Sequence, residues 1–245
     1  MSAGRLRALH VPGDPLVLPN AWDAASARLV EAAGFPVVAT GSAGVAESLG
    51  YPDGQGAPPA EMFAAARRIA RAVGVPVTVD VEGGYGLPAA ELAGRLADAG
   101  AVGCNLEDTD HGARGLVDIA RQADRIAALR AADPELVINA RVDVFLCAED
   151  GRAVLADGVA RARAYLAAGA DCVYPIMVPA DVLGAVVVAV APAPVNALYL
   201  PDGPDPAALG GEGVARVSLG PGLFRLAGSA VTRSLRRLAA GVAPY

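Results

Sequence analysis

The sequence predicts an α/β fold in which eight parallel strands, each followed by a helix, close into a (β/α)8 barrel of the TIM type. Two observations carry this reading. Short apolar runs alternate with alanine-rich helical stretches from one end of the chain to the other, and such alternation implies parallel strands joined by right-handed crossovers. The second is the count: eight units in 245 residues match a barrel in number and length, whereas an open doubly wound sheet usually has fewer strands.

The strands are read, in order, at 16–19 (LVLP), 36–40 (PVVAT), 75–80 (VPVTVD), 101–106 (AVGCNL), 135–141 (ELVINAR), 171–174 (DCVY), 194–198 (PVNAL) and 215–219 (ARVSL). Helical stretches lie at 22–33, 59–73, 88–99, 118–132, 152–168, 179–190, 205–209 and 222–240. In 118–132, Ile119, Ala123, Ile126 and Ala127 recur at one-face helical spacing, with Arg130 continuing the row and acids and arginines opposite. Gly34, Gly74, Gly100 and Gly169 fall where helices stop and read as C′ glycines ahead of the next strand. The turn-rich segment 201–213 reads as the loop and short helix between the last two strands. No linker divides the chain, so residues 1–245 are expected to form one barrel domain, with 221–245 as its C-terminal helix region.

Composition narrows the function. Hydrophobic residues make up 54% of the chain and aromatics only 4%, so the core is Ala, Val and Leu. A net charge of −6 argues against nucleic acid or an anionic membrane as the main partner. No apolar run approaches the roughly 20 residues that span a bilayer. The first residues lack the apolar stretch of a secretory signal, so a cytoplasmic location is expected. Every positive side chain is arginine, 20 in all, and there is no lysine. That absence excludes Schiff-base aldolase chemistry, pyridoxal phosphate anchoring and a P-loop. With only His10 and His111, a site built on several imidazoles is excluded too. Cys104, Cys147 and Cys172 have no zinc or redox spacing and read as buried thiols.

The chemistry collects at strand ends. VPVTVDVEGGYG closes on Asp80 and Glu82, which project to the same side of a strand before a glycine-rich turn. Two adjacent carboxylates repel, a cost tolerated mainly where a cation, an arginine or a proton neutralises it. GCNLEDTDHG closes on Glu107 and Asp108, and LVINARVDVF carries Arg141 and Asp143. In a (β/α)8 barrel the C-terminal strand ends are the catalytic face.

Five ordered motifs, NAWDAASARLVEAAGF, VVATGSAGVAESLGYPDG, VTVDVEGGYG, GCNLEDT and NARVD, resemble the isocitrate lyase/phosphoenolpyruvate mutase superfamily over residues 16–227. The resemblance implies a modified barrel whose last helix is exchanged between subunits, giving a homodimer or homotetramer. It also implies Mg2+, with Mn2+ as a substitute, and a small 2-oxo or 2-hydroxy acid as substrate. Asp80 matches the acid that touches the metal directly, and Asp53, Glu82 and Glu107 match those acting on it through water. Thr40, Gly41 and Ser42 match the loop that holds the substrate carboxylate and oxo group, to which Asp80 and Arg141 contribute. Arg141 matches the arginine on the same acid, although an internal pair with Asp143 is the alternative that local sequence allows.

The chain departs from the family pattern at the loop after Glu107, DTDHGARGLVD, which is short and lacks cysteine. His111 and Arg114 are its only protonatable candidates, with His111 the expected general acid. Ile176 stands where phosphonate members place histidine and methylisocitrate-type lyases place glutamate. Three readings follow. The first is a Mg2+-dependent carbon–carbon lyase for a small dicarboxylate resembling methylisocitrate, isocitrate or oxaloacetate. The others are a phosphonate P–C mutase or hydrolase and a 2-oxo acid binding protein with little turnover.

Overall fold

Parallel strands wind into a closed barrel in the computed structural model, which describes residues 2–245. Strand β1 runs Leu16–Leu18 and resumes beyond Pro19 as Asn20–Ala21; β2 is Val38–Thr40, β3 Val77–Asp80 and β4 Gly103–Glu107. Strand β5 is Val137–Arg141, β6 Cys172–Tyr174, β7 Asn196–Leu198 and β8 Arg216–Ser218. All eight predicted strands are present. Closure depends on Pro19, which has no N–H to give a neighbour. Residues before it pair with β8 and residues after it with β2. Pairing continues from β2 through β6, a bridge between Val173 and Val195 reaches β7, and β7 pairs with β8.

Strand side chains alternate between two environments. Val77, Val79, Leu106, Ile138, Ala140 and Val173 pack outward into the main core beneath the helices. The alternate set, Asp80, Asn105, Glu107, Asn139 and Arg141, faces the barrel axis, where Asn139 Nδ2 and Arg216 Nη2 both donate to Asn105 Oδ1, at 2.8 and 3.0 Å. The eight predicted helices all form. In order with three that the sequence did not announce, they are α1 Ala3–Ala8, α2 Ala24–Ala32, α3 Ser42–Ser48, α4 Pro59–Ala70, α5 Ala89–Ala99, α6 Ile119–Ala132, α7 Val144–Cys147, α8 Leu155–Ala167, α9 Ala180–Val190, α10 Pro206–Gly211 and α11 Gly222–Ala239. The unannounced ones are α1, α3 and α7, all shorter than two turns, too short for a periodic pattern to stand out.

Local chemistry sets the boundaries. Asp23 and Ser26 form a reciprocal capping box at the start of α2, and Asp118 accepts from Ala120 N and Arg121 N at the start of α6. Gly34, Gly100 and Gly169 adopt φ of 90°, 81° and 105°, as helix-ending glycines should. Gly74 does not: α4 stops at Arg71, and Gly74 instead donates its N–H to Glu31 at 2.7 Å. Among the cysteines, Cys104 and Cys172 are buried but Cys147 is exposed, because the single-turn α7 leaves its last residue at the surface.

Helix α1 plugs the lower end of the barrel, where Leu6 packs with Leu16, Leu18, Val37, Ala39 and Val137. Helix α11 does the opposite: none of its residues is buried, and Leu226, Val231, Leu235 and Leu238 are all more than half exposed. Phe224 anchors its first turn edge-on to Trp22, ring centres 5.3 Å apart. No described helix is long and apolar enough to cross a membrane.

Candidate active site

Strand β3 delivers the first two acids. Pairing with β4 runs past the strand end, Val81 N to Asn105 O at 3.1 Å and Glu107 N to Glu82 O at 3.0 Å, so Asp80, Glu82 and Glu107 stand at one rim. The chain then turns sharply, with positive φ at Glu82 (49°), Gly84 (74°), Tyr85 (58°) and Gly86 (67°). For Glu82 and Tyr85 this left-handed backbone costs on the order of 1–3 kcal/mol each. Glu82 N to Asp80 Oδ1 at 3.0 Å helps to hold the turn. Strain stored beside acids is characteristic of functional sites.

The acids are electrostatically unsettled. Burial is the main reason that Asp80 and Glu107 hold protons above the usual carboxylate range; Arg141 counters it at both, and His111 does so more strongly at Glu107. Glu82 is pushed up to about 7, first by burial, with Asp80, Asp53 and Glu107 adding repulsion and the Gln55 N–H offsetting part. Gln55 N donates to Glu82 Oε2, while Glu82 Oε1 is buried with no hydrogen-bond partner. Burial and then the Glu82 charge push the nearby Tyr85 phenol far above its usual value. Asp53 lies exposed on the same 51–58 loop that brings Gln55 to Glu82.

Glu107 is shared. His111 Nε2 lies 2.5 Å from its Oε1, and Arg141 Nη2 pairs with its Oε2. That bond to His111 is also the main cause raising the His111 pKa above its ordinary value. His111 sits in a small hairpin, Thr109–Asp110 paired with Gly115–Leu116, and Arg114 in its turn has φ 55° and an exposed side chain.

Arg141 takes the internal partner. Its Nε and Nη2 grip Asp143 Oδ1 and Oδ2, each at 2.7 Å. Asp143 is fully buried and requires that cation. A bidentate grasp of substrate through the same two nitrogens is therefore closed in this conformation, and Nη1 is the atom free of these bonds. Asp143 is itself fixed by Thr109 Oγ1 at 2.5 Å and through its backbone N by Asp108 Oδ1 at 2.8 Å. Behind these, Asp108 Oδ2 accepts from Arg161 Nη1 at 2.9 Å and Tyr165 Oη at 2.6 Å.

The Thr40–Gly41–Ser42 segment is a strand end running into α3 rather than an open loop. Thr40 Oγ1 accepts from Asp80 N at 2.9 Å, Gly41 N donates to Ala21 O, and Ser42 N approaches Asp80 Oδ2 at 3.5 Å. The Thr40 hydroxyl thus braces β3, and Ser42 borders Asp80. The structure brings Asp80, Glu82, Glu107, Arg141, His111 and Ser42 to one mouth.

Three supports escaped the sequence reading. Asn20 donates to Thr40 O at 2.9 Å and accepts from Leu219 N at 3.0 Å, joining three strand ends. Gln122 Nε2 donates to Glu107 O at 3.0 Å. The Asp108–Arg161–Tyr165 group joins residues 57 positions apart. Only Asn20 left a trace, as a polar residue just after a strand-breaking proline.

The residues present fit a hard divalent cation. Asp80 and Glu82 repel each other, Glu82 Oε1 is itself buried with no hydrogen-bond partner, and the acids offer only oxygen donors. Among the described residues no group of three His, Cys, Asp or Glu side chains is placed to hold a metal ion by itself. Mg2+ retains several waters and needs only one or two carboxylates, so Asp80 with one neighbouring acid would suffice to hold it.

Comparison with known proteins places the chain in a family. The family model described as phosphoenolpyruvate phosphomutase matches residues 6–239. An uncharacterized protein of Mycobacterium tuberculosis (strain ATCC 25618 / H37Rv) is 39% identical over 213 residues, covering 86% of this chain and 80% of that one. The 2-methylisocitrate lyase of Bacillus subtilis (strain 168) is 33% identical over 188 residues, 73% of this chain but only 61% of the lyase. A crystal structure from Burkholderia cenocepacia J2315, provisionally named a phosphonomutase, superposes with a TM-score of 0.90 at 41% identity, covering 96% of this chain and 99% of that one.

Proposed function

The chain belongs to the phosphoenolpyruvate phosphomutase family, and from that premise we propose that it is a Mg2+-dependent lyase that cleaves a carbon–carbon bond in a small 2-hydroxy- or 2-oxo-dicarboxylic acid. The observation that carries this reading is the pairing of a repelling acid cluster, Asp80 and Glu82, with His111 held on Glu107 at the same mouth. The resemblance to the B. subtilis lyase supports the same reaction type.

In this reading Asp80 would hold the cation, with Glu82, Glu107 and Asp53 supporting it through water. Bound Mg2+ supplies Lewis-acid stabilisation of negative charge on the substrate oxygens. The Ser42 end of α3 and the free Nη1 of Arg141 orient the acid. In a 2-hydroxy acid the hydroxyl gives its proton to a carboxylate of the acid cluster. Its carbon becomes the carbonyl of one product as the carbon–carbon bond breaks, and the electron pair passes to the departing acid as an enolate, which must gain a proton. His111 delivers it: Glu107 raises its proton affinity above that of an ordinary histidine and fixes its ring. The Asp108–Arg161–Tyr165 group and Asp143 keep Arg141 from swinging away.

The provisional name of the Burkholderia structure favours a second reading, phosphonate P–C bond chemistry. The absence of any lysine and the presence of Ile176 weigh against it. Incubation with 2-hydroxy dicarboxylates and oxaloacetate, with and without Mg2+, should release pyruvate or glyoxylate only with the metal. Phosphate release from phosphonopyruvate, with no turnover of the carboxylic acids, would replace the lyase reading with the phosphonate one. Tight 2-oxo acid binding without turnover of either class would leave a binding protein.

The exposed apolar face of α11 and the groove of about 440 Å3 between it and Trp22, Leu29 and Phe35 support an exchanged helix in a homodimer or homotetramer. Light scattering should give at least a dimer, and deletion of residues 229–245 should impair assembly.

A further inference from the structure

We propose that the polar cavity between the His111 hairpin and the first turns of α6 receives the distal carboxylate of the substrate, with Arg121 and Arg125 as the residues that select it. The inference rests on the lyase reading above and adds the substrate's second charge to it. The cavity has a volume of about 310 Å3, and Gln55, Gly83, His111, Arg121 and Arg125 line it.

Two cations face this space with no acid paired to either. Arg121 and Arg125 are four residues apart on one helix, where like charges repel. Neither joins any of the ion pairs among the described residues. The acid on the same wall, Asp110, is turned back on its own hairpin, accepting from Gly112 N at 3.0 Å and Ala113 N at 2.9 Å. Burial and the Arg121 charge lower the proton affinity of Arg125, and Glu107 only partly offsets them. An anion placed between the two arginines would remove that repulsion.

The position of Arg125 depends on a glycine. Its Nη2 donates to Gly83 O, and a Cβ on Gly84 would lie 2.6 Å from that nitrogen. The glycine-rich turn that carries Glu82 thus also admits the guanidinium. Three walls are common to the cavity and the acid mouth. Gln55 N donates to Glu82, His111 pairs with Glu107, and Thr109 holds Asp143, which grips Arg141. A substrate seated at Asp80 therefore has this as its adjoining cationic space, across Gln55 and His111. The mouth supplies one negatively charged end with metal and Arg141; the cavity supplies the complementary charge for the other.

The test uses two acids of equal length, 2-oxoglutarate and 2-oxopentanoate, which differ only in the distal carboxylate. Calorimetric titration with Mg2+ present should show the wild type preferring 2-oxoglutarate by about tenfold or more, as expected for a charge-assisted hydrogen bond. Arg121→Gln should bring that ratio close to one while leaving 2-oxopentanoate affinity unchanged. Arg121 is exposed and its side chain caps nothing, so this variant should fold as the wild type does and its ratio is the deciding measurement. Arg125→Gln should act in the same direction, with its melting temperature checked because Gly83 loses a donor. Binding of both acids with the ratio unmoved in Arg121→Gln overturns the assignment alone. Binding of neither acid to the wild type overturns the 2-oxo acid reading and this assignment with it.

Discussion

The two ends of this barrel solve opposite problems with the same strands. At the lower end, α1 presses Leu6 among Leu16, Leu18 and Val137, and the acid there is paired, with Asp171 accepting from Arg7 at 2.7 Å and also from Arg130. Arg216, by contrast, is buried without an ion pair among the described residues and meets only Asn105. His10 is buried there, its Nδ1 2.8 Å from Leu6 O, and burial followed by the Arg216 charge pushes its pKa down to about 4. At the upper end, Asp80, Glu82 and Glu107 share a rim, Gln55, Glu82, Tyr85 and Arg114 are non-glycine residues in the left-handed region, and a carboxylate oxygen lacks a partner. The lower end spends its residues on burial. The upper end keeps charge and strain that stability alone would remove, which is how a (β/α)8 fold divides stability from chemistry.

Substitutions at the two ends should therefore separate binding from stability. The largest effect is expected from Asp80→Ala, which should reduce Mg2+-dependent 2-oxo acid binding by more than about a hundredfold, beyond what loss of a metal's outer partner costs. Its melting temperature in chelator should change little, since relief of the repulsion with Glu82 offsets loss of the bonds that Asp80 accepts from Glu82 N and Ser42 N. Calorimetry and thermal unfolding on one preparation decide it, and unchanged Mg2+ affinity would remove Asp80 from the metal site.

Leu6→Ala is the matching change below. It should cost about 2–5 kcal/mol of stability by opening a cavity in the plug, measured by denaturant unfolding, with 2-oxo acid affinity preserved. A loss of affinity in the folded variant would show that the two ends are coupled. Arg141→Lys lies between them. It keeps a charge near Asp143 and Glu107 but forfeits the paired donors, so a stability loss of about 1–3 kcal/mol is expected. Oxo-acid affinity measured at fixed Mg2+ then reports on Nη1. Intact binding in a destabilised variant would confine Arg141 to holding Asp143.

The smallest effect is a slope. His10 has a folded-state pKa of about 4, below its ordinary 6.5, so unfolded chains take up a proton over that interval while native ones stay neutral. The stability from a neutral His10 is fully present above pH 6.5 and is lost as pH falls toward 4. His10→Asn, which keeps a donor near Leu6 O, should flatten the fall of melting temperature across that window. A slope equal to the wild type's would mean that carboxylates govern the acid limb alone.

The sequence by itself determined the strand count, eight of the helices, the acids at the strand ends and the resemblance to one superfamily, because each is written in local periodicity or in a short contiguous motif. Asp80 and Glu82 sit two residues apart, so their shared side follows from strand geometry. Tertiary structure alone decided which partner each charge takes. Arg141 meets Asp143 and Glu107 rather than open space, Glu107 meets His111, and Arg161 crosses 53 residues to Asp108. The short α1 became the plug of the barrel, and Arg125 found room against Gly84. Such pairings depend on how far each strand end rises and which loop folds over it. Those are properties of barrel closure, set by long-range packing; neighbouring residues made the Arg141–Asp143 pair possible but could not choose it over a substrate.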